Sequence, residues 1–351
     1  MTRRTQAAYA VVATLLGTVL VVSARQPRVE ITARDAAHRV DVTVEGMPFT
    51  SYIYPETLKK PVLWPIRSAR GTVITRGFPL DPRPGERVDH PHQVGLWFNH
   101  GDVNGFDFWN NSDAIKPERA AKMGTIVHRR IGEIHSGAGR GELNVELDWI
   151  GGDGVPLLRE RTQFIFHANG DIRSIDRLTT LTALDKQVVF RDNKEGVLGL
   201  RVARALEHPA DKPEVFTDAS GKPTAVPVLD NTGVTGHYVS SEGREGDAVW
   251  GTRGRWTVLG ATVDGQPVTV AVLDHPSNPG FPTHWHARGY GLFAANMLGA
   301  KEFSGGKEEF NFTLEPRTSA AFRHRILVWS EPIEPPAVES EYQAFIKSGG
   351  R

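Results

Sequence analysis

The chain alternates between apolar and polar residues over much of its length. Glu142-Leu143-Asn144-Val145-Glu146-Leu147-Asp148-Trp149 does so without a fault, with one side apolar and the other acidic or amide. That is the period-two pattern of a half-buried strand. Phe310, Phe312 and Leu314 repeat it. Phe322, His324, Ile326 and Val328 line one face of a further strand whose other face carries Arg323 and Arg325. Shorter runs at Arg28–Ile31, Val40–Val44, Gln163–Phe166, Leu198–Ala203, Trp256–Val263 and Val268–Val272 also read as strands. Helical spacing shows only in the tail, where Pro335-Pro336 opens a segment with Val338, Tyr342 and Phe345 on one side. The polar, proline-bearing stretch Pro209–Lys222 reads as a long surface loop.

Many strands parted by Gly, Pro, Asn and Asp turns predict an all-β protein, a large antiparallel β-sandwich with few short helices. The 36 glycines and 23 prolines favour turns over long helices. No fixed-period repeat marks a propeller or solenoid, and no low-complexity linker divides the chain. Residues 25–351 are therefore expected to form one domain.

Arg3 and Arg4 precede an apolar run from Ala7 to Val22, and Val22-Ser23-Ala24 offers a small-residue cleavage site. Residues 1–24 thus read as a signal peptide and the mature protein as periplasmic or secreted, with a retained membrane anchor as the alternative. The sequence has no cysteine, which removes disulfides, thiolate catalysis and cysteine metal sites. A formal net charge of +0 provides no broad field to attract nucleic acid or, once the leader is cleaved, a membrane surface.

Two segments concentrate chemistry. "DHPHQVGLWFNHGDVNGFDFW", Asp89 to Trp109, holds three histidines, three aspartates, two asparagines and two tryptophans. "DHPSNPGFPTHWHARGY", Asp274 to Tyr290, repeats both Asp-His-Pro and His-x-His. If Asp89–His92 is extended, His90 and His92 share a face, as do His284 and His286 around Trp285. Asn104-Gly105 is a strong turn signal. A third patch, "RDNKEGVLGLRVA", supplies Glu195 and Arg201.

Three chemistries could use these groups. Imidazole beside carboxylate suits general acid–base work: His92 or His286 as acid, Glu195 or Asp274 as base or orienting carboxylate. His-x-His with a further ligand suits a divalent metal, although no cofactor is certain. Trp97, Trp109 and Trp285 could present flat faces to a sugar, with His90, His100, Asn104, Asp107, Arg201 and His284 reading its hydroxyls. The bland reading makes the tryptophans core. His324, on a face with Phe322 and Ile326, reads as a hydrogen-bonded core histidine.

"RGFPLDPRPGERVDHPHQVGLWFNHGDVNGFDFW" and "DHPSNPGFPTHWHARGYGLFAANMLG" resemble a secreted bacterial family of unknown function, of DUF6807 type, whose members are often labelled "methane oxygenase PmoA". The likeness covers nearly the whole mature chain. Typical members carry histidine after the position of His92, where this chain has Gln93. The label fails a physical test, because a membrane methane monooxygenase subunit needs several hydrocarbon-length helices and this chain has one such apolar run. The family is similar to the galactose-mutarotase-like group, which implies a β-supersandwich with sugar on one sheet and a histidine and carboxylate as acid and base. It implies those roles for His92, His286 and Glu195. The expectation is an exported carbohydrate-active protein, a hydrolase, lyase or epimerase acting on a glycoside or hemiacetal. The alternatives are a non-catalytic sugar-binding protein and a metal-dependent lyase or hydrolase.

Overall fold

Each alternating run finds an antiparallel neighbour, and the pairs join into two large sheets. The computed structural model describes residues 25–228 and 230–349. The leader, residues 1–24, lies outside them. One sheet has nine strands. Its order is His284–Arg288, Leu292–Asn296, Gly196–Arg201, Leu96–His100, Val62–Leu63, Met47–Ile53, Arg39–Val44, Arg28–Arg34 and Gly137–Ala138. The other has eight, in the order His237–Ser240, Trp256–Val263, Gln266–Asp274, Ser319–Trp329, Ile172–Ala183, Pro156–Asn169, Arg140–Ile150 and Thr125–His135.

Alternation decides what each sheet buries. Leu96 and Phe98, Leu198 and Leu200, Phe293 and Ala295, and Trp285 and Ala287 all point between the sheets. Across the gap they share one core with Leu143, Val145, Leu147 and Trp149, and with Phe322, Ile326 and Val328. This is the sandwich that the period-two pattern predicts, with the side chains of two inner faces interlocked. His324 is 1% exposed in that core, as its neighbours imply.

The tail helix, Pro335–Lys347, closes the outside of the eight-stranded sheet. Val338, Tyr342 and Phe345 pack on Trp256, Leu273, Leu327 and Trp329. Trp256 Nε1 donates to Glu339 Oε2 at 2.8 Å, which fixes the helix by a polar as well as an apolar contact. No helix among the described residues is long and apolar enough to cross a membrane.

One expectation needs correcting here. The stretch Pro209–Lys222 is not all loop: Glu214–Thr217 is a strand that pairs with Pro223–Val226 as a small hairpin. Proline at the start of the second strand is tolerated because a strand's first residue can do without a donor.

Candidate functional site

The outer face of the nine-stranded sheet carries the polar residues that alternation turns away from the core. Trp97 pairs with Gly199, Gly199 with Ala294, and Ala294 with His286, so one cross-strand row runs from an indole to an imidazole. Directly paired residues point to the same side of a sheet. The next row places Arg201 beside Leu292 and Leu292 beside Arg288. Segments nearly two hundred residues apart in sequence thus meet on one surface.

The Asp89–Gln93 segment folds over this face. It is a turn rather than an extended strand: His90 has φ +41°, and Gln93 N–H donates to the His90 carbonyl at 2.9 Å. A left-handed backbone at a non-glycine residue is held only when its surroundings demand it. The expected shared direction of His90 and His92 survives in another form, because their rings meet edge to face at 5.7 Å. His90 also stacks on Tyr290, with centroids 5.2 Å apart and planes within 3°.

Asp89 locks the turn to the sheet. Its Oδ1 accepts from Arg201 at 2.7 Å and also from Arg76, and its Oδ2 pairs with His90 Nδ1 at 2.9 Å. Burial would raise the Asp89 carboxyl, but His90 and the two arginine charges hold it well below the usual range. Arg201 lies 4.9 Å from the Tyr290 ring centroid. Its guanidinium is fully buried, with Nη1 donating to Gln93 Oε1 and Nη2 to Asp89, so it braces the site where the expectation had it reading hydroxyls.

Three groups around this face keep a valence that no described residue takes up. His286 Nδ1 lies 3.1 Å from the Lys194 carbonyl, so it carries the proton and Nε2 keeps its lone pair. Burial, then the Arg288 charge, lowers the His286 pKa to about 4. Glu195 follows Lys194 in the chain, and its carboxylate makes no hydrogen bond or ion pair. Burial raises it, against the pull of Lys194 and His90. His92 Nε2 is also without a hydrogen-bond partner, and burial together with Lys60, His90 and the arginines drives the ring's pKa to about 2. At neutral pH both His92 and His286 are neutral.

A cavity of about 430 Å³ opens beside His92, walled by Lys60, Leu58, Leu80, Val94 and Asn111. Lys60 Nζ donates to the His92 carbonyl at 2.7 Å and lies 5.6 Å from the Trp97 ring centroid. Burial lowers its pKa to about 7, with Asp107 opposing.

Several expected site residues have other duties. Trp285 is buried between the sheets, so it cannot be a sugar platform. Trp97 and Trp109 lie on the outer face but are fully covered, ring against ring at 5.1 Å. Their Nε1 atoms find no partner. Asp274 is 0% exposed and ends a strand of the eight-stranded sheet, paired with the core residue His324 and away from the outer face of the nine-stranded sheet. It accepts from Thr283 N–H and Asn278 Nδ2, and so anchors the approach to His284. Burial raises its pKa to about 7.

His100 is enclosed, with Nε2 on the Arg191 carbonyl at 2.7 Å. His284 gives Nδ1 to the Gly251 carbonyl and stacks on Phe303. Asn104 clamps a loop, with Oδ1 accepting from Val189 N–H and Nδ2 donating to the Gln187 carbonyl. Its φ of +52°, followed by Gly105 at +87°, bears out the turn signal. Asp107 caps the following turn by accepting from Trp109 and Asn110 N–H, though its charge still acts on Glu195 and Lys60. No cluster of three His, Asp or Glu suited to a metal ion occurs among the described residues.

The sequence reading passed over Lys60, Arg76 and Arg288, and Tyr290 was seen only as the end of a quoted segment. Arg76 opens the stretch "RGFPLDPRPGERVDHPHQ" and Arg288 lies inside Asp274–Tyr290. The signal for Tyr290 and Arg288 was their place in the same alternating run as His284 and His286.

No curated protein matches this sequence. Among solved structures, the chain is similar to the galactosidase domain of an alpha-galactosidase-sucrose kinase. Identity is 8%, coverage 86% of this chain and 42% of that one, and TM-score 0.38. It is also similar to a putative aldose 1-epimerase from Escherichia coli K12, at 9% identity, 86% and 99% coverage and TM-score 0.33. The Slr1438 protein from Synechocystis sp. PCC 6803 is similar at 12% identity, 87% and 97% coverage and TM-score 0.30. This chain spans less than half the length of the first of these. Over residues 39–343 the sequence matches the model of a family of unknown function, and the protein belongs to that family, DUF6807.

Proposed function

We propose that this protein is an exported carbohydrate-active enzyme that works by proton transfer at a glycoside or hemiacetal, with His286 as base and Glu195 as its acid partner. The observation that carries the reading is the pair of free valences: a neutral imidazole with its lone pair exposed by the Lys194 contact, and an unpartnered carboxylate raised by burial. Groups pushed toward opposite protonation states in one site are suited to opposite roles. This exchanges the roles that sequence reasoning gave to histidine and carboxylate.

Unsatisfied polar groups support a ligand. Buried polar atoms are nearly always paired, yet His92 Nε2, from a residue on the cavity wall, is not. The Tyr290 ring, braced by His90 and Arg201, offers an aromatic surface at the same turn. Export rests on the N-terminal apolar run and its small-residue boundary.

The test is a panel of glycosides and reducing sugars, oxidised ones included, read by mass change and anomeric NMR signals. His286→Gln and Glu195→Gln should each lower kcat by about 10²- to 10⁴-fold with little change in KM. Sugar binding without turnover in the parent protein would leave a binding protein instead.

A further inference from the structure

We propose that the sugar taken by this site carries a carboxylate, as a uronic-type sugar does, and that Arg288 is the residue that reads it; this rests on the proton-transfer reading above. Arg288 ends the strand that bears His286, and its side chain is exposed. Its guanidinium lies 5.6 Å from the Trp250 ring centroid and 5.7 Å from that of Tyr290. It makes no hydrogen bond or ion pair with any described residue. A guanidinium propped on two rings keeps its planar fork of donors free, and that fork matches a carboxylate's two oxygens.

The surroundings are positive although the chain's formal net charge is +0. Arg76 and Arg201, with side chains 1% and 0% exposed, share the single carboxylate of Asp89. Lys194 reaches only Glu302, at 3.9 Å. Burial lowers both imidazoles, and the same charges add to it: Lys60, His90, Arg76 and Arg201 at His92, and Arg288, Lys194 and His90 at His286. Glu195 is the opposing carboxyl here, itself raised by burial, so cations outweigh anions around His286, and such a surface attracts ligands of the other sign.

An anion on Arg288 would also tune the chemistry. Cancelling the Arg288 charge lets the pKa values of His286 and Glu195 both rise, giving a stronger base and an acid that stays protonated.

The experiment measures binding of methyl glucuronoside and methyl galacturonoside against the matching neutral glycosides, by calorimetry or NMR at low salt on the purified protein. An acidic member should bind about ten- to a hundredfold tighter than its neutral twin, the effect of a charge-assisted hydrogen bond. In Arg288→Gln the ratio should fall to near one, while Arg288→Lys should keep part of it. The His286 ring signals should titrate at higher pH when the acidic sugar is bound. Equal affinity for the two members of a pair, or a preference that survives Arg288→Gln, overturns the inference. A 6-sulfated glycoside binding as tightly as the uronoside overturns the carboxylate assignment. Neutral sugars bound as well as acidic ones sink this inference alone, whereas no sugar bound at all sinks the carbohydrate reading with it.

Discussion

Trp97 lies so close to Gly199 on the paired strand that a β-carbon at 199 would sit 2.3 Å from the indole Cζ2. The absent side chain is what lets the ring settle on the outer face of the sheet, next to Trp109 and above the Lys60 amine. Gly199→Ala must push the indole away, and overpacking of this kind costs about 1–3 kcal/mol. The expected result is a lower unfolding midpoint, with ligand binding weakened as His92 and Lys60 shift. A variant with unchanged stability would show that Trp97 is free to move.

The pH profile should follow the two free valences. His286 acts as a base only when neutral, so turnover should fall on the acid side near its pKa of about 4. Glu195 acts as an acid only when protonated, so turnover should also fall above its raised value. The optimum is expected to be mildly acidic. Glu195→Gln should remove the alkaline limb in whatever activity remains, and a profile rising steadily to pH 9 would refute the assignment.

Asp274 should make stability depend on pH. Its pKa is raised from 3.8 to about 7, so the native state binds a proton that the unfolded chain has released. The favourable term is complete below about pH 4 and is lost as pH climbs through 7. It amounts to a few kcal/mol at about 1.4 kcal/mol per pH unit. Asp274→Asn keeps an uncharged hydrogen-bonding group there, so urea unfolding between pH 5 and 8 should vary less in the variant. An unchanged slope would place the titrating proton elsewhere.

Lys60 predicts the opposite slope. Its pKa is lowered from 10.5 to about 7, so the unfolded chain binds more protons between those values and native stability rises with pH across that window. Lys60→Met should remove this contribution, on the order of 1–3 kcal/mol between pH 7 and 9. The measurement is unfolding free energy at both pH values for parent and variant. Parallel lines for the two proteins would contradict it.

The sandwich was legible because alternation is a local signal. Leu143, Val145, Leu147 and Trp149 announce a buried face whatever lies opposite, and Val338, Tyr342 and Phe345 announce a helix in the same way. The site was legible only as a set of rich segments. Nothing local says that Trp285 faces the core while its neighbours His284 and His286 face away, since that depends on which side of the strand the second sheet covers. Nor could the sequence tell Asp274 from Glu195. Both are carboxylates near histidines, but one is sealed by Asn278 and Thr283 and the other is left unpaired. The hairpin of Glu214–Thr217 and Pro223–Val226 is not legible, because such short strands show no apolar period.

The strand Ser319–Trp329 lies inside the eight-stranded sheet, between Gln266–Asp274 and Ile172–Ala183. A chain emerging from the ribosome therefore lacks the middle of that sheet until residues 319–329 are made, and its two flanking parts cannot close around a gap. Pairings of such long sequence separation form slowly. The polypeptide is thus expected to stay open until that strand is made, and to become protease-resistant in a single step after it.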